Sequence, residues 1–256
     1  MPRLGSRKLL KLIKERLPDE VKIGRDKFFN ILRDNDLLVK SRRIRPRTTN
    51  SYHFYRRYPN LIKEFKPYSA HQMWVSDITY ISTDEGFKYL SLITDSYSRK
   101  IIGWELSEDL KAEHSIKALR MAIRQLPKGI KGTYHHSDRG VQYCSHKYVN
   151  TLKKRDFNIS MTESGDPRDN AIAERINGIL KVEWLYDVKF KNIDQARSYL
   201  QSTINTYNKS RPHMSINMMT PEMVHNMNGG IPRLWKNYNL INYNKRNNNL
   251  NSRISN

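Results

Sequence analysis

A single cysteine, Cys144, stands in 256 residues, so no internal disulfide can form and no thiol set exists for a cysteine-built zinc site. A reducing compartment is the natural setting. Long apolar runs are also missing. The short apolar stretch near Leu9 and Leu10 is broken by Lys11 and Lys14, which excludes a signal-peptide core, and nowhere do about 18 apolar residues follow one another. The sequence predicts a soluble, intracellular protein with no membrane partner. Acidic residues are the third scarcity, 25 against 46 lysines and arginines, for a net charge of +21. Such a surplus points to an acidic partner, and nucleic acid fits best. The length suits one large domain, or a core of about 150 residues with appendages, and is ample for a buried interior.

The charge is front-loaded: up to Lys66 there are 19 basic and 7 acidic residues. Leu9, Leu10, Ile13 and Leu17 have helical spacing, and Lys27 to Leu37 predicts a second helix, ending at the turn-like Asp34-Asn35-Asp36. Residues 1–40 therefore form a small basic helical region, with a helix-turn-helix as one reading. Residues 41–67, with Arg42, Arg43, Arg45 and Arg47, read as an extended basic linker, and that cluster is a candidate DNA-backbone contact.

From Met73 the pattern becomes strand-like: Met73 to Ser82, Phe87 to Thr94 and Lys100 to Leu106, joined by turn residues, predict an antiparallel meander. A helix over Ala112 to Leu126, a strand at Thr133 to Ser137, a helix over Ser145 to Arg155, a strand at Asn158 to Thr162 and a long helix over Asn170 to Tyr186 follow. The order βββαβαβα is that of a layered α/β core over 68–187. Residues 188–235 read as a C-terminal helical extension, with Pro221 at a first helical position after Thr220. Nine asparagines in 236–256 predict a disordered tail.

Three acids stand where a site is expected. Asp77 lies mid-strand among apolar neighbours, which is costly without a compensating cation or hydrogen bonds. Asp138 ends the fourth strand before Gly140, and strand ends are common site positions in α/β folds. Glu174 shares one helical face with Asn170, Asn177 and Lys181, opposite Ile172, Ile176, Ile179 and Leu180. Carboxylate oxygens suit hard divalent cations, and three carboxylates can hold two ions for in-line phosphoryl displacement. Each acid alone has an ordinary reading, as a capped strand residue, a turn former and a solvated helix residue. Their order strengthens the case.

The segments Trp74-Val75-Ser76-Asp77-Ile78-Thr79-Tyr80-Ile81, His136-Ser137-Asp138-Arg139-Gly140-Val141-Gln142-Tyr143 and Asp169-Asn170-Ala171-Ile172-Ala173-Glu174, with Gly178-Ile179-Leu180-Lys181 after them, closely resemble the integrase core of orfB-type insertion-sequence transposases of the IS-three family. The resemblance covers roughly 68–225, including Arg211-Pro212-His213. It implies a ribonuclease-H-like mixed five-stranded sheet flanked by helices, with Asp77, Asp138 and Glu174 as catalytic metal ligands. It also implies Mg²⁺, as two ions, with Mn²⁺ able to substitute, and Lys181 near the terminal DNA. Asn177 and Arg211 join Lys181 as candidate DNA contacts. The partners implied are double-stranded DNA, at element ends and target, a homo-oligomer on that DNA, and an upstream-frame helix-turn-helix protein or fusion, which would make this chain the catalytic half. A cytoplasmic, nucleoid-associated bacterial protein is the expected setting. Glu163-Ser164-Gly165-Asp166-Pro167-Arg168 departs from the family's serine- and glycine-rich loop.

His135 and His136 beside Asp138 do not make a zinc site, because strand alternation points them to opposite faces and no distant His/Cys pair completes the set. Trp74 and Cys144 read as core residues. The expected activity is that of a DNA transposase, an Asp-Asp-Glu polynucleotidyl transferase: hydrolysis frees a 3′-hydroxyl, which then attacks a target phosphodiester. The alternatives are a structure-selective nuclease on the same fold, which cleaves without joining, and a non-catalytic DNA-binding protein derived from a transposase.

Overall fold

Three runs of apolar and β-branched side chains separated by turn residues form the meander: β1 (Met73–Thr83), β2 (Gly86–Asp95) and β3 (Ile101–Ser107), paired antiparallel in that order. The computed structural model describes residues 1, 3–18, 20–39, 53–163, 167–227 and 229–231, with only the backbone at 167 and 168. The first turn uses Gly86 at φ 98°, a region open to glycine. The second turn is held by Asp95, whose Oδ1 accepts the Ser98 N–H and hydroxyl at 2.8 Å each while Oδ2 accepts the His71 N–H at 2.7 Å. That buried carboxylate is thus used up by structure.

Two short parallel strands, β4 (Tyr134–Ser137) and β5 (Asn158–Met161), extend the sheet on the other side of β1, giving the order β3-β2-β1-β4-β5. Helix α3 (Ala112–Arg124) joins β3 to β4, and α4 (Val141–Cys144) and α5 (His146–Lys153) lie between β4 and β5 in sequence. On one face, Trp74, Ile93, Ile102, Leu119, Tyr148 and Leu152 form a core with α3 and α5. On the other, Leu90, Leu92 and Leu106 pack with Ile176 and Ile179 of α6 (Ala171–Leu180) and with Leu200 and Tyr207 of α7 (Ile193–Ser210). β2 is covered on both faces, which is why its last six residues are all buried instead of alternating. This is the expected mixed five-stranded α/β sheet flanked by helices.

Gly103 of β3 lets α3 come close: a Cβ there would lie 2.2 Å from the Ala118 carbonyl oxygen. Gly103→Ala should therefore cost about 3 kcal/mol by forced displacement of α3, read as a thermal midpoint lower by roughly 6–12 °C. An unchanged midpoint would show that the helix can back away freely.

Three expectations are modified. The helix expected over Asn170 to Tyr186 is a 3₁₀ turn (Pro167–Asn170), then α6, then a π turn (Lys181–Leu185). The widened turn buries Glu183, Trp184 and Leu185 in succession, which one α-helical face could not do. The basic stretch 41–67 is described from 53, and there it is strapped to the sheet edge: the Met161 N–H donates to Pro59 O at 3.2 Å and the Leu61 N–H to Ser160 Oγ at 2.9 Å. Tyr55 and Tyr58 pack on the α3/α5 side of the core. At the front, α1 (Ser6–Lys14) and α2 (Arg25–Asp34) are separated by residues 15–24, longer than the three or four residues of a helix-turn-helix connection. Arg42, Arg43, Arg45, Arg47, residues 164–166 of the loop before α6 and the asparagine-rich tail lie outside the described residues. Among the described residues no helix is long and apolar enough to cross a membrane.

Candidate active site

β1 pairs with β4 only over Met73–Val75, while its pairing with β2 continues to Thr83. Beyond Val75 the two parallel strands part, at the point where the sheet switches from antiparallel to parallel neighbours, and the opening is the kind of crevice in which open α/β sheets bind ligands. Asp77 leaves β1 there, and Asp138 follows the last residue of β4. Both line one pocket with Ile78, Tyr80, Leu110 and Tyr143.

The local sequence fixes each carboxylate. Gly140 turns the chain so that its N–H donates to Asp138 Oδ1 at 2.9 Å, and a Cβ at 140 would come within 3.0 Å of that oxygen. Asp77 Oδ1 accepts the Ile78 N–H at 2.9 Å and Oδ2 accepts the Asn177 amide at 2.7 Å. Burial pushes the Asp77 carboxyl up to about 7, Asp138 adds like-charge repulsion, the two hydrogen bonds only partly offset this, and Glu174 contributes a further negative field. The pocket is therefore short of positive charge, and its donors are oxygens.

Glu174 sits on α6, exposed, one turn before Asn177. Its charge acts on Asp77, but among the described residues no three His, Cys, Asp or Glu side chains are gathered closely enough to hold a metal ion. Of the three expected acids, two are half-buried and line one pocket and the third stands exposed on the adjacent helix, not in a closed cluster.

Within the polar stripe of α6 the two asparagines turn toward β1, whereas Glu174 stays exposed. Asn177 is buried against Asp77, and Asn170 is buried with its amide donating to Ser76 O at 3.0 Å. Asn177 is therefore corrected from a DNA contact to a partner of Asp77; its three-residue spacing from Glu174 was the available signal. Lys181 is half-buried with its ammonium 3.9 Å from the Tyr80 ring centroid, and burial lowers its pKa while Asp77 opposes that shift. Nothing in the sequence sets Tyr80 apart, because aromatic residues in strands are usually core.

Arg211 is the second correction. It is 1% exposed and donates from Nε to Glu183 Oε2 at 2.7 Å and from Nη2 to Oε1 at 2.6 Å, with Lys8 Nζ on the same Oε1 at 2.7 Å. No phosphate reaches it there. His135 bonds Ser76 and Tyr148, and His136 bonds Ser160 and Asp169 O, so both histidines are internal struts.

An integrase core domain family model matches residues 67–167, and a second integrase core domain model matches 155–221. The uncharacterized 31 kDa protein of insertion element IS600 from Shigella sonnei is 37% identical over 202 residues, covering 78% of this chain and 74% of that one. Transposase InsF of insertion sequence IS3A from Escherichia coli is 36% identical over 171 residues, covering 66% and 58%. The chain belongs to the IS3 family of insertion-sequence transposases. This IS3-family chain spans little more than half the length of InsF. Its fold is similar to that of a chain in the simian T-cell lymphotropic virus intasome complex with a PP2A regulatory subunit, with a TM-score of 0.54 at 18% identity, covering 91% of this chain and 73% of that one. The sheet is thus the ribonuclease-H-like one expected, and both pocket carboxylates lie within the residues matched by the first integrase core model.

Proposed function

We propose that this chain is the catalytic core of a DNA transposase that hydrolyses a phosphodiester at the element end and joins the freed 3′-hydroxyl to target DNA. One observation carries the reading: Asp77 and Asp138 share a pocket at the strand divergence, where burial first and the Asp138 charge second hold Asp77 at about 7. An all-oxygen, charge-starved site fits a divalent cation better than it fits general acid–base work by either residue. Asp77 and Asp138 would hold Mg²⁺, for which Mn²⁺ can substitute, and Glu174 would complete the set for a second ion. When bound, the ions supply charge neutralisation at the reacting phosphodiester.

The chain's own residues do the rest. Asn177 and the Ile78 N–H fix the Asp77 carboxylate, the Gly140 N–H fixes Asp138, and Lys181 offers positive charge at the rim. Arg42, Arg43, Arg45 and Arg47 would neutralise backbone phosphates without reading sequence. A homo-oligomer pairing two element ends, an upstream helix-turn-helix partner and a nucleoid-associated cytoplasmic location belong to the same reading.

Incubating the protein with labelled element-end DNA and Mg²⁺ or Mn²⁺ tests it: nicks at the element end followed by joined products are expected. Nicks alone would identify a nuclease, and binding without nicks a non-catalytic DNA-binding protein.

The cation site also has a readout independent of activity. Because the folded Asp77 binds its proton more tightly than the unfolded chain does, metal-free protein should lose stability as pH rises from about 4 to about 7, by roughly 3 kcal/mol. Asp77→Asn should flatten that slope, and millimolar Mg²⁺ should restore stability at pH 8 in the natural protein but not in the variant. Thermal unfolding across pH decides this, and a slope that Asp77→Asn leaves intact assigns it to other groups.

A further inference from the structure

The β1–β2 hairpin carries aromatic side chains that neither the core nor the proposed cleavage uses. Cross-strand register pairs Tyr80 with Tyr89 and Ser82 with Phe87, so the three rings share one face. Phe87 is 59% exposed and meets Tyr80 edge-on, with ring centroids 5.1 Å apart and planes at 71°. A lone exposed phenylalanine needs no explanation. This one is continuous with a site: Tyr80 and Tyr89 line the same pocket as Asp77 and Asp138, above an apolar floor of Ile78 and Leu110. The pocket is open to solvent, so a segment of nucleic acid can reach the rings and the carboxylates together. Lys181 adds a cation against the Tyr80 ring, so the same few side chains present an anion-binding end, a planar aromatic wall and an apolar floor.

Those three features match the three parts of a nucleotide. A phosphodiester held at the carboxylate pocket leaves the attached base within one nucleotide's span, and a base can lie against a protein ring only when it is not stacked inside a paired duplex. We propose that the Tyr80, Tyr89 and Phe87 face is a subsite that stacks an unpaired nucleobase of the DNA end beside the scissile phosphate. The proposal rests on Asp77 and Asp138 marking the cleavage site, and it adds a substrate property: the protein selects ends whose terminal pairs are open. Stacking is tolerant of base identity, since every base has a π-face, so the subsite selects strand opening rather than sequence.

The test compares two labelled duplexes of the same element-end sequence, one fully paired and one with its terminal pairs mismatched, bound to the full chain in Ca²⁺ and then cleaved in Mg²⁺. The natural protein should favour the frayed duplex by about 10-fold, and abasic terminal nucleotides should abolish that preference. Phe87→Ala and Tyr80→Ala should bring the ratio close to one, whereas Tyr80→Phe, which keeps the ring, should retain it. Phe87 is exposed, so its variant keeps the fold, and thermal unfolding confirms this. An unchanged ratio in Phe87→Ala overturns the subsite, as does a ratio of one in the natural protein. A change only in sedimentation mass also overturns it, since that would assign the face to a second copy of the chain. Asp138→Asn separates the two claims: it should lose cleavage yet keep the frayed-end preference, and if it still cleaves, the site assignment fails whatever the ratio does.

Discussion

Asp138→Asn should lower strand cleavage by about 10³-fold or more while leaving DNA affinity and its salt dependence unchanged. The substitution preserves shape, and the asparagine carbonyl can still accept the Gly140 N–H that Asp138 Oδ1 accepts at 2.9 Å. What it removes is one negative charge from a pocket built of two, and several kcal/mol of cation-borne stabilisation at the reacting phosphate follows that charge. Under the proposed function, binding would be carried by other groups, the front-loaded lysines and arginines, whose counterion release would set the salt slope. A second consequence is local: with the Asp138 charge gone, the Asp77 carboxyl should titrate below its present value of about 7, because like-charge repulsion is the second largest cause of its elevation after burial. Gel-based cleavage, filter binding across salt and NMR titration of Asp77 read the three effects separately. Full activity in this variant would falsify the assignment of the site.

The largest effect on stability should come from Glu183→Ala. Glu183 lies in the π turn that follows α6, and its carboxylate joins Lys8 of α1 to Arg211 at the end of α7, with all three side chains 10% or less exposed. Burial works against the Glu183 charge, yet Arg211 and then Lys8 outweigh it and hold the carboxyl below its usual range. Removing the acid leaves two buried cations facing each other, at a cost of about 3–5 kcal/mol. Denaturant unfolding should show it as a lower midpoint at unchanged slope. Lys8→Met should cost less, because the bidentate Arg211 pair survives; a Lys8→Met loss equal to that of Glu183→Ala would contradict this ranking.

This network also shows where reading along the chain stops. Arg211 follows a helix in a basic turn, and a basic residue in a strongly basic protein is expected on the surface. Whether it meets a phosphate or a glutamate depends on Glu183, 28 positions earlier, and on a π turn that no periodicity announces. Asn177 is a similar case. Its place on the Glu174 face is plain in sequence, but the direction of that face is set by how α6 docks on β1. The strands and most helices, by contrast, were legible because alternation and turn residues are local properties: Gly86 marks the first turn, and Pro127 and Gly129 stop α3 as the pattern predicts.

The amino-acid order alone determined the basic character, the βββαβαβα succession and the identity of the acids worth suspecting, since these depend on composition and on neighbours a few residues away. Only the tertiary structure decided that Asp77 and Asp138 open into one pocket, that Glu174 stays exposed on the neighbouring helix, and that Arg211 is internal. The reason is physical: the meaning of a charge depends on the dielectric and the partners around it, and those are supplied by segments far away in the chain.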